Sequence, residues 1–161
     1  AGGEDPRFIA RRLVILASED VGLADSRGLL VANAAFDACE RVGLPECELN
    51  LAHATIFLAA APKSNSATAA LAAAKAEIAK NPVQPVPKHL RDSHTAFNRS
   101  GGNGADYIYN HDCPGAISGQ DYMENPKTFY RPTSRGAEKL IAERLEEYKK
   151  LKRKLKNGKS Q

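Results

Sequence analysis

The stretch SEDVGLAD, residues 18–25, sets three carboxylates in eight positions directly after the apolar run LVILA. Paired acids can ligate a metal or pass a proton between them. Glu19 and Asp20 are adjacent, however, so on a helix their side chains leave the axis about 100° apart and do not converge on one ion or one substrate atom. Asp25 is better used to cap a following helix. Acids near a helix C-terminus oppose the macrodipole, and three and four positions back stand Leu16, Ile15 and Ala17, none of them basic. The expectation is therefore structural: Glu19 or Asp20 pairs with an Arg from another helix or from another copy of the chain.

The other candidates for chemistry are weaker. His89, His94 and the string HDC at 111–113 carry zinc-ligand atoms, but their spacing is not that of a recognised ligand pair. His53, set in an apolar segment, reads as a hydrogen-bonded core residue. SGGNG at 100–104 has no clear strand before it and no Lys-Ser or Lys-Thr after it, so the cation and magnesium ligand of a phosphate-binding loop are missing and the string reads as a turn. Cys39, Cys47 and Cys113 are odd in number and scattered, which fits reduced thiols rather than a disulfide framework or a paired zinc knuckle. No catalytic, metal or cofactor-binding residue is expected in this chain.

The elements that would hold these residues are helical. With 161 residues, 42% of them hydrophobic, the chain can bury a genuine core. No run approaches the roughly 18 apolar residues of a membrane span, and the N-terminus lacks the order of a secretory signal, so a cytoplasmic protein without a membrane partner is expected. The chain opens with GGEDP leading straight into a helix signal and no initiator Met, as a domain cut from something longer would.

Asp5 followed by Pro6 starts the first helix, because the Asp side chain accepts from orphan amides and Pro fits the first helical position. Gly22 ends it, Asp25 caps a second helix to about Val42, and Gly43 with Pro45 ends that one. LNLAHATIFLAAA from Leu49 is apolar nearly all round, and a helix of that kind is normally surrounded by protein. Ser64 or Asn65 caps a fourth helix on which Ala67, Leu71, Ala74 and Ile78 form a small-residue stripe.

Residues 81–132 hold six of the nine prolines and four of the five tyrosines, so this segment reads as ordered but loop-rich, with a short helix at PKHLRD and a small extended piece at DYIY. Thr133 or Ser134 caps a last helix that should fray beyond Lys156. The organisation expected is all-α: a four-helix core over 1–80, the loop-rich wrap over 81–132, and a basic helix and tail over 133–161, within one structural domain.

Charge is uneven. Residues 135–159 hold ten Lys and Arg against four acids, while the rest of the chain is near neutral. Such a tail can neutralise nucleic-acid phosphates or can simply solvate an exposed helix, since Glu138, Glu143, Glu146 and Glu147 interleave with the cations at spacings suited to helical ion pairs.

Five strings occur in order along the chain: GGEDPRFIARRLVILASEDVGLAD, LAHATIFLAAAPKSNSA, VPKHLRDSH, YNHDCPG and YRPTSRGAEKLIAERL. Together they closely resemble the C-terminal region of the RarA/MgsA family of AAA+ ATPases, bacterial relatives of the Werner-helicase-interacting protein. The resemblance departs at Asn110 and Cys113, where the family reads YPHDYPG, and at AISGQDYM.

The resemblance implies an all-helical domain that follows the ATPase core and joins four subunits into a homotetramer acting at stalled replication forks, with DNA and replication proteins as partners of the full-length protein near the nucleoid. ATP and magnesium would belong to the ATPase part, and this chain, which carries no Walker motif, would not hydrolyse ATP. Family motif positions fall on Asp5, Pro6, Arg7, Arg11, Arg12, Ser18, Glu19, Asp20, Gly22 and Asp25. Further matches are Pro62, Lys63, Ser64, Asn65, His89, Leu90, Arg91, Asp92, His111, Asp112, Pro114 and Gly115.

The candidate interface set is Asp5, Arg11, Arg12, Glu19, Asp20, Asp25, Leu49, Ile56, Phe57, Lys63, Asn65, Leu71, Arg91, Asp92, His111 and Asp112. The rival reading is a nucleic-acid-binding module. It would use Lys149, Lys150, Lys152, Arg153 and Lys154 for phosphates and Tyr107, Tyr109, Tyr122 and Tyr130 for stacking on unpaired bases.

Overall fold

The computed structural model describes residues 2–157. The chain is helical, with no strand among the described residues. Its helices are α1 (Pro6–Leu16), α2 (Arg27–Arg41), α3 (Cys47–Ala60), α4 (Ser66–Lys80), α5 (Ala96–Ser100) and α6 (Glu138–Asn157). Two compact units divide it: Ala1–Lys75 with Phe129–Ala142, and Ala76–Thr128 with Glu143–Gln161. These divisions fall inside α4 and α6 rather than at the breaks between the three sequence segments.

The first unit is built on α1, α2 and α3, which pack pairwise. Asp5 caps α1 as its type and position require: its carboxylate accepts from the Arg7 amide at 2.8 Å, with Pro6 at the first helical position. α2 turns a stripe of small residues inward, and α3 a stripe of small residues and leucines. Gly28, Ala32, Ala35 and Cys39 lie along α2, and Cys47, Leu51, Ala54 and Leu58 along α3.

Small side chains let the axes approach, and Gly28 has little room for a side chain. A Cβ there would lie 3.1 Å from Leu58 Cδ2 and 3.2 Å from Val21 Cγ1. Two apolar clusters result, one of Ala17, Val21, Ala32, Leu58 and Ala61, the other of Ala10, Cys39, Cys47 and Leu51. Gly43, at φ 75°, and a cis Leu44–Pro45 bond turn the chain from α2 into α3.

In the second unit the loop-rich segment is ordered by side chains. Gln84 exchanges hydrogen bonds with Asn125 in both directions, Lys127 pairs with Glu77 at 2.8 Å, and Asp121 takes both Lys152 and Lys156 from α6. The expected short helix at PKHLRD is a single 3-10 turn, Lys88–Leu90.

At DYIY, where an extended piece is expected, Tyr109 is extended but no strand is paired. Asp106 sits at φ 61°, outside the extended region, and its carbonyl accepts from the Gln120 amide at 2.6 Å instead of a neighbouring strand. The last helix also begins later than expected. Gly136, at φ 53°, breaks the chain, Thr133 caps no α6 amide, and helical structure starts at Glu138. It continues through Asn157; the fraying expected beyond Lys156 otherwise concerns residues 158–161, which lie outside the described residues. No described helix is long and apolar enough to cross a membrane.

Candidate functional site

The acidic stretch forms an elbow. α1 widens into a π turn over Ala17–Val21, and Gly22, at φ 51°, reverses the chain. A Cβ on Gly22 would lie 2.6 Å from the Ser64 carbonyl oxygen, so only glycine fits. The Ser64 amide in turn donates to the Asp20 carbonyl at 2.6 Å, tying the elbow to the strand of chain between α3 and α4.

Glu19 and Asp20 point outward and are exposed, and among the described residues neither forms a salt bridge. The expected Arg partner from another helix of the same chain is thus absent among the described residues. What joins the elbow to the rest of the unit is backbone, not these side chains.

Asp25 does cap. Its carboxylate accepts from the Arg27 amide at 3.1 Å and from the Arg27 guanidinium at 2.8 and 2.6 Å. The Arg27 hydrogen bond holds the Asp25 pKa below the usual carboxylate value, against the raising effect of partial burial. The Arg27 guanidinium also lies 5.7 Å from the centre of the Phe57 ring. Phe57 itself is half-buried against the first apolar cluster.

Lys63 is engaged within its own chain: its ammonium donates to the carbonyls of Leu58 at 2.7 Å, Ala59 at 3.2 Å and Ala61 at 2.5 Å, closing the C-terminal end of α3. Asn65 is exposed, and its carbonyl accepts from Ala69 as α4 begins. Arg11 and Arg12 are exposed on α1, without an ion pair among the described residues.

The apolar candidates part company. Leu51, Ala54 and Leu58 fill the core from one face of α3, while Leu49 and Ile56, one heptad apart on another face, are 76% and 70% exposed. Ala52, Ala59 and Ala60 are exposed with them. The helix expected to be surrounded by protein therefore carries two apolar faces and uses one of them within the protomer. α4 repeats the pattern: Ser66 is its one buried residue, and Leu71 is 57% exposed.

In the second unit, Arg91 donates to the Val86 carbonyl at 2.7 Å, and Asp92 accepts from the His94 ring and amide and from Asn98. The His94 hydrogen bond is the main cause of the lowered Asp92 pKa. His111 lies against Tyr109, ring centres 5.1 Å apart, and Asp112 closes a single 3-10 turn. Among the described residues no three His, Cys, Asp or Glu side chains are grouped to hold a metal ion.

Of the stacking candidates, Tyr122 donates to Asn110 at 2.8 Å and Tyr130 to Glu138 at 2.7 Å; Tyr107 and Tyr109 are half-exposed. Of the basic candidates, Lys149 pairs with Glu146 at 2.6 Å and Lys152 with Asp121 at 3.0 Å. Lys150, Arg153 and Lys154 are exposed without an ion pair among the described residues.

One residue escaped the sequence reading. Glu138 does not join a helical ion pair; it is completely buried. Its carboxylate accepts from the hydroxyls of Ser66, Thr133 and Tyr130 and from the Thr133 amide at 3.3 Å. Burial alone would raise its pKa, but donation from Ser64, Ser66, Thr133 and Tyr130 outweighs burial and holds it at about 2. Burial and the anion together push Tyr130 up to about 12.

Beside Glu138, the Ala137 amide donates to the Ala24 carbonyl at 2.8 Å, and Arg135 to the Lys63 carbonyl at 3.3 Å. The start of α6 is thereby fastened to the elbow and to the start of α4 within the first unit. The only sequence signal was an acid seventy-two positions from its serine, which no local spacing reveals.

The described residues of the first unit thus present a buried anionic anchor, an acid-bearing elbow and exposed apolar side chains on α3 and α4. Residues 1–149 match the family described as MgsA AAA+ ATPase C terminal. The chain belongs to that family.

An AAA domain-containing protein of Mycobacterium tuberculosis is 50% identical over 155 residues, covering 94% of this chain and 34% of the relative. Replication-associated recombination protein A of Escherichia coli K12 is 43% identical over 149 residues, 90% of this chain and 33% of the relative. The ATPase WRNIP1 of Dictyostelium discoideum is 44% identical over 109 residues, 68% of this chain and 12% of the relative. The chain thus spans about a third of the length of the bacterial curated relatives.

Proposed function

We propose that this chain is a homotetramerisation domain that organises the ATPase subunits of a replication-associated AAA+ protein on DNA. The observation that carries the reading is the second apolar face of α3. Leu49 and Ile56 lie on a helix whose core-facing stripe is already complete, and they stand at 76% and 70% exposure. Covering a Leu or Ile side chain fully is worth about 1.5–3 kcal/mol, so leaving both in water is costly unless another surface meets them.

Leu71 on α4 adds to the apolar surface of the same unit. Obligate interfaces between identical subunits bury about 2,000 Å² or more and resemble a domain core, which suits Ala-rich helices with interspersed Leu and Ile. The exposed acids Glu19 and Asp20 then find their cations on a neighbouring copy, with Arg11 and Arg12 as the exposed arginines of α1. ATP, magnesium and hydrolysis belong to the ATPase portion that the longer relatives carry, and DNA and replication proteins are partners of that whole protein, in the bacterial cytoplasm.

The rival, direct nucleic-acid binding by α6, rests on the exposed Lys150, Arg153 and Lys154. It is weakened by the ion pairs that occupy Lys149 and Lys152 and by the internal hydrogen bonds of Tyr122 and Tyr130. Solution mass at two salt concentrations, with and without single-stranded DNA, tests both. Apolar assembly survives added salt, whereas phosphate-driven binding weakens steeply with it. A monomer at micromolar concentration in every condition would overturn the proposal.

A further inference from the structure

The face of α3 that points away from the core carries one titratable side chain. The inward stripe is Cys47, Leu51, Ala54 and Leu58. At about 100° per residue, Leu49, His53, Ile56 and Ala60 fall on a second stripe roughly 200° round the axis, and all four are exposed. The apolar setting of His53 predicts a hydrogen-bonded core residue. Instead the residue is exposed, and among the described residues its ring makes no hydrogen bond. His53 lies about 40° from Leu49 and about 60° from Ile56 round the axis, and between them along it, so a surface that covers both also covers the imidazole.

The stripe itself bears no acid. Glu48, the one acid of α3, leaves the axis about 140° from His53, and Lys63, past the end of the helix, is taken up by three carbonyls. α1 and α2 pack on α3, which meets them with its inward stripe. α1 brings Arg7, Arg11 and Arg12, and α2 brings Arg27, Asp37, Glu40 and Arg41. Among the described residues none of these is ion-paired or hydrogen-bonded to His53. Arg27, over the Phe57 ring one turn along α3, is held by Asp25.

We propose that assembly through α3 is governed by the charge on His53: the neutral ring is enclosed between copies, and its protonation drives them apart. This rests on the tetramer reading, with a second copy of the chain as the occupant of the stripe. The first unit complements itself, since it carries the exposed acids Glu19 and Asp20 and the exposed Arg11 and Arg12, all without an ion pair among the described residues. Those acids are matched by those arginines in the assembly, which leaves no carboxylate for His53. Contacts between identical subunits are commonly isologous, so each copy brings its own His53 to the seam.

Enclosing a neutral imidazole costs little, whereas an imidazolium would leave water with no anion to meet it. Histidine gains its charge as pH falls through about 6.5. Burial favours the neutral ring, so assembly is strongest above that pH and weakens below it, by about tenfold per pH unit for each His53 enclosed.

Sedimentation velocity on the 161-residue chain at pH 7.5 and pH 5.5, with His53→Gln beside wild type, tests the switch. Both conditions lie above the range in which Glu138 titrates, so the protomer keeps its anchor, and circular dichroism checks that it stays folded. Wild type should be assembled at pH 7.5, with a dissociation constant at least about tenfold higher at pH 5.5. His53→Gln, neutral and polar at both pH values, should assemble equally well at both. Wild type that assembles equally at the two pH values, or His53→Gln that dissociates on acidification as wild type does, would overturn the switch and leave the tetramer reading standing. A wild-type monomer at pH 7.5 would overturn both.

Discussion

Glu138→Gln removes one charge from the interior while keeping the shape of the side chain, and it isolates the anchor that joins the start of α6 to α4. In the folded chain the carboxyl titrates at about 2, against 4.5 for a free glutamate. At about 1.4 kcal/mol per unit this amounts to roughly 3 kcal/mol of stability at neutral pH.

The pKa is depressed on folding, so the contribution is complete above pH 4.5 and drains away as pH falls through 4.5 towards 2. The amide of the variant offers one acceptor oxygen where the carboxylate offers two. The hydroxyls of Ser66, Thr133 and Tyr130 then lose part of their charge-assisted bonding, at a cost of about 2–3 kcal/mol. For a chain of this length that corresponds to a melting temperature lower by roughly 4–12 °C.

Urea unfolding at fixed protomer concentration, repeated from pH 7 to pH 2.5, reads both quantities, the concentration being fixed because assembly adds its own stability. Wild type should lose stability steeply below pH 4.5, and the variant should show a flatter profile. A variant within 0.5 kcal/mol of wild type at pH 7, or with an identical acid slope, would refute the anchor.

Gly136→Ala should destabilise by at least about 2 kcal/mol, since φ is 53° and the new Cβ would lie 2.2 Å from the Ala24 oxygen; an unchanged urea midpoint would contradict this. Asp25→Ala should cost about 1 kcal/mol through loss of the α2 cap. The wild-type advantage there is present above pH 3.8 and fades as pH falls below it, because the folded pKa is the lower one. Among the thiols, Cys113 should react first with an aromatic disulfide reagent at pH 8. Cys39 and Cys47 are buried, and burial followed by the Cys47 hydrogen bond pushes Cys39 up to about 11, so both should label only on unfolding. Equal labelling rates for all three would show that the second apolar cluster is open.

What could be read from residues in order was whatever a single turn of chain decides. The Asp5–Pro6 start, the Gly22 reversal, the Asp25 carboxylate on the Arg27 amide and the Gly43–Pro45 stop are all local, and each is seen in the structure. The second face of α3 was legible as excess hydrophobicity, but not which half of it the protomer uses. That depends on where Gly28 lets α2 approach, a distance that no spacing encodes.

Glu138 was misread as a surface ion-pair residue because a Glu among lysines on a helix usually is one, and its partners come from 64–66 and 130–133. The π turn at Ala17–Val21, which carries the exposed Glu19 and Asp20, has no compositional signature. DYIY suggested an extended piece by residue type; Tyr109 is extended, while Asp106 is left-handed and no strand is paired there.

The central claim, that exposed apolar faces of these helices join four copies, is tested most directly by sedimentation velocity on the 161-residue chain and on Leu49→Asp/Ile56→Asp. Both side chains lie in solvent within the protomer, so the double variant should keep its helical circular dichroism. The account predicts a tetramer for wild type at micromolar concentration and a folded monomer or dimer for the variant. A wild-type chain that sediments as a monomer, or a variant whose mass equals that of a tetrameric wild type, would contradict it.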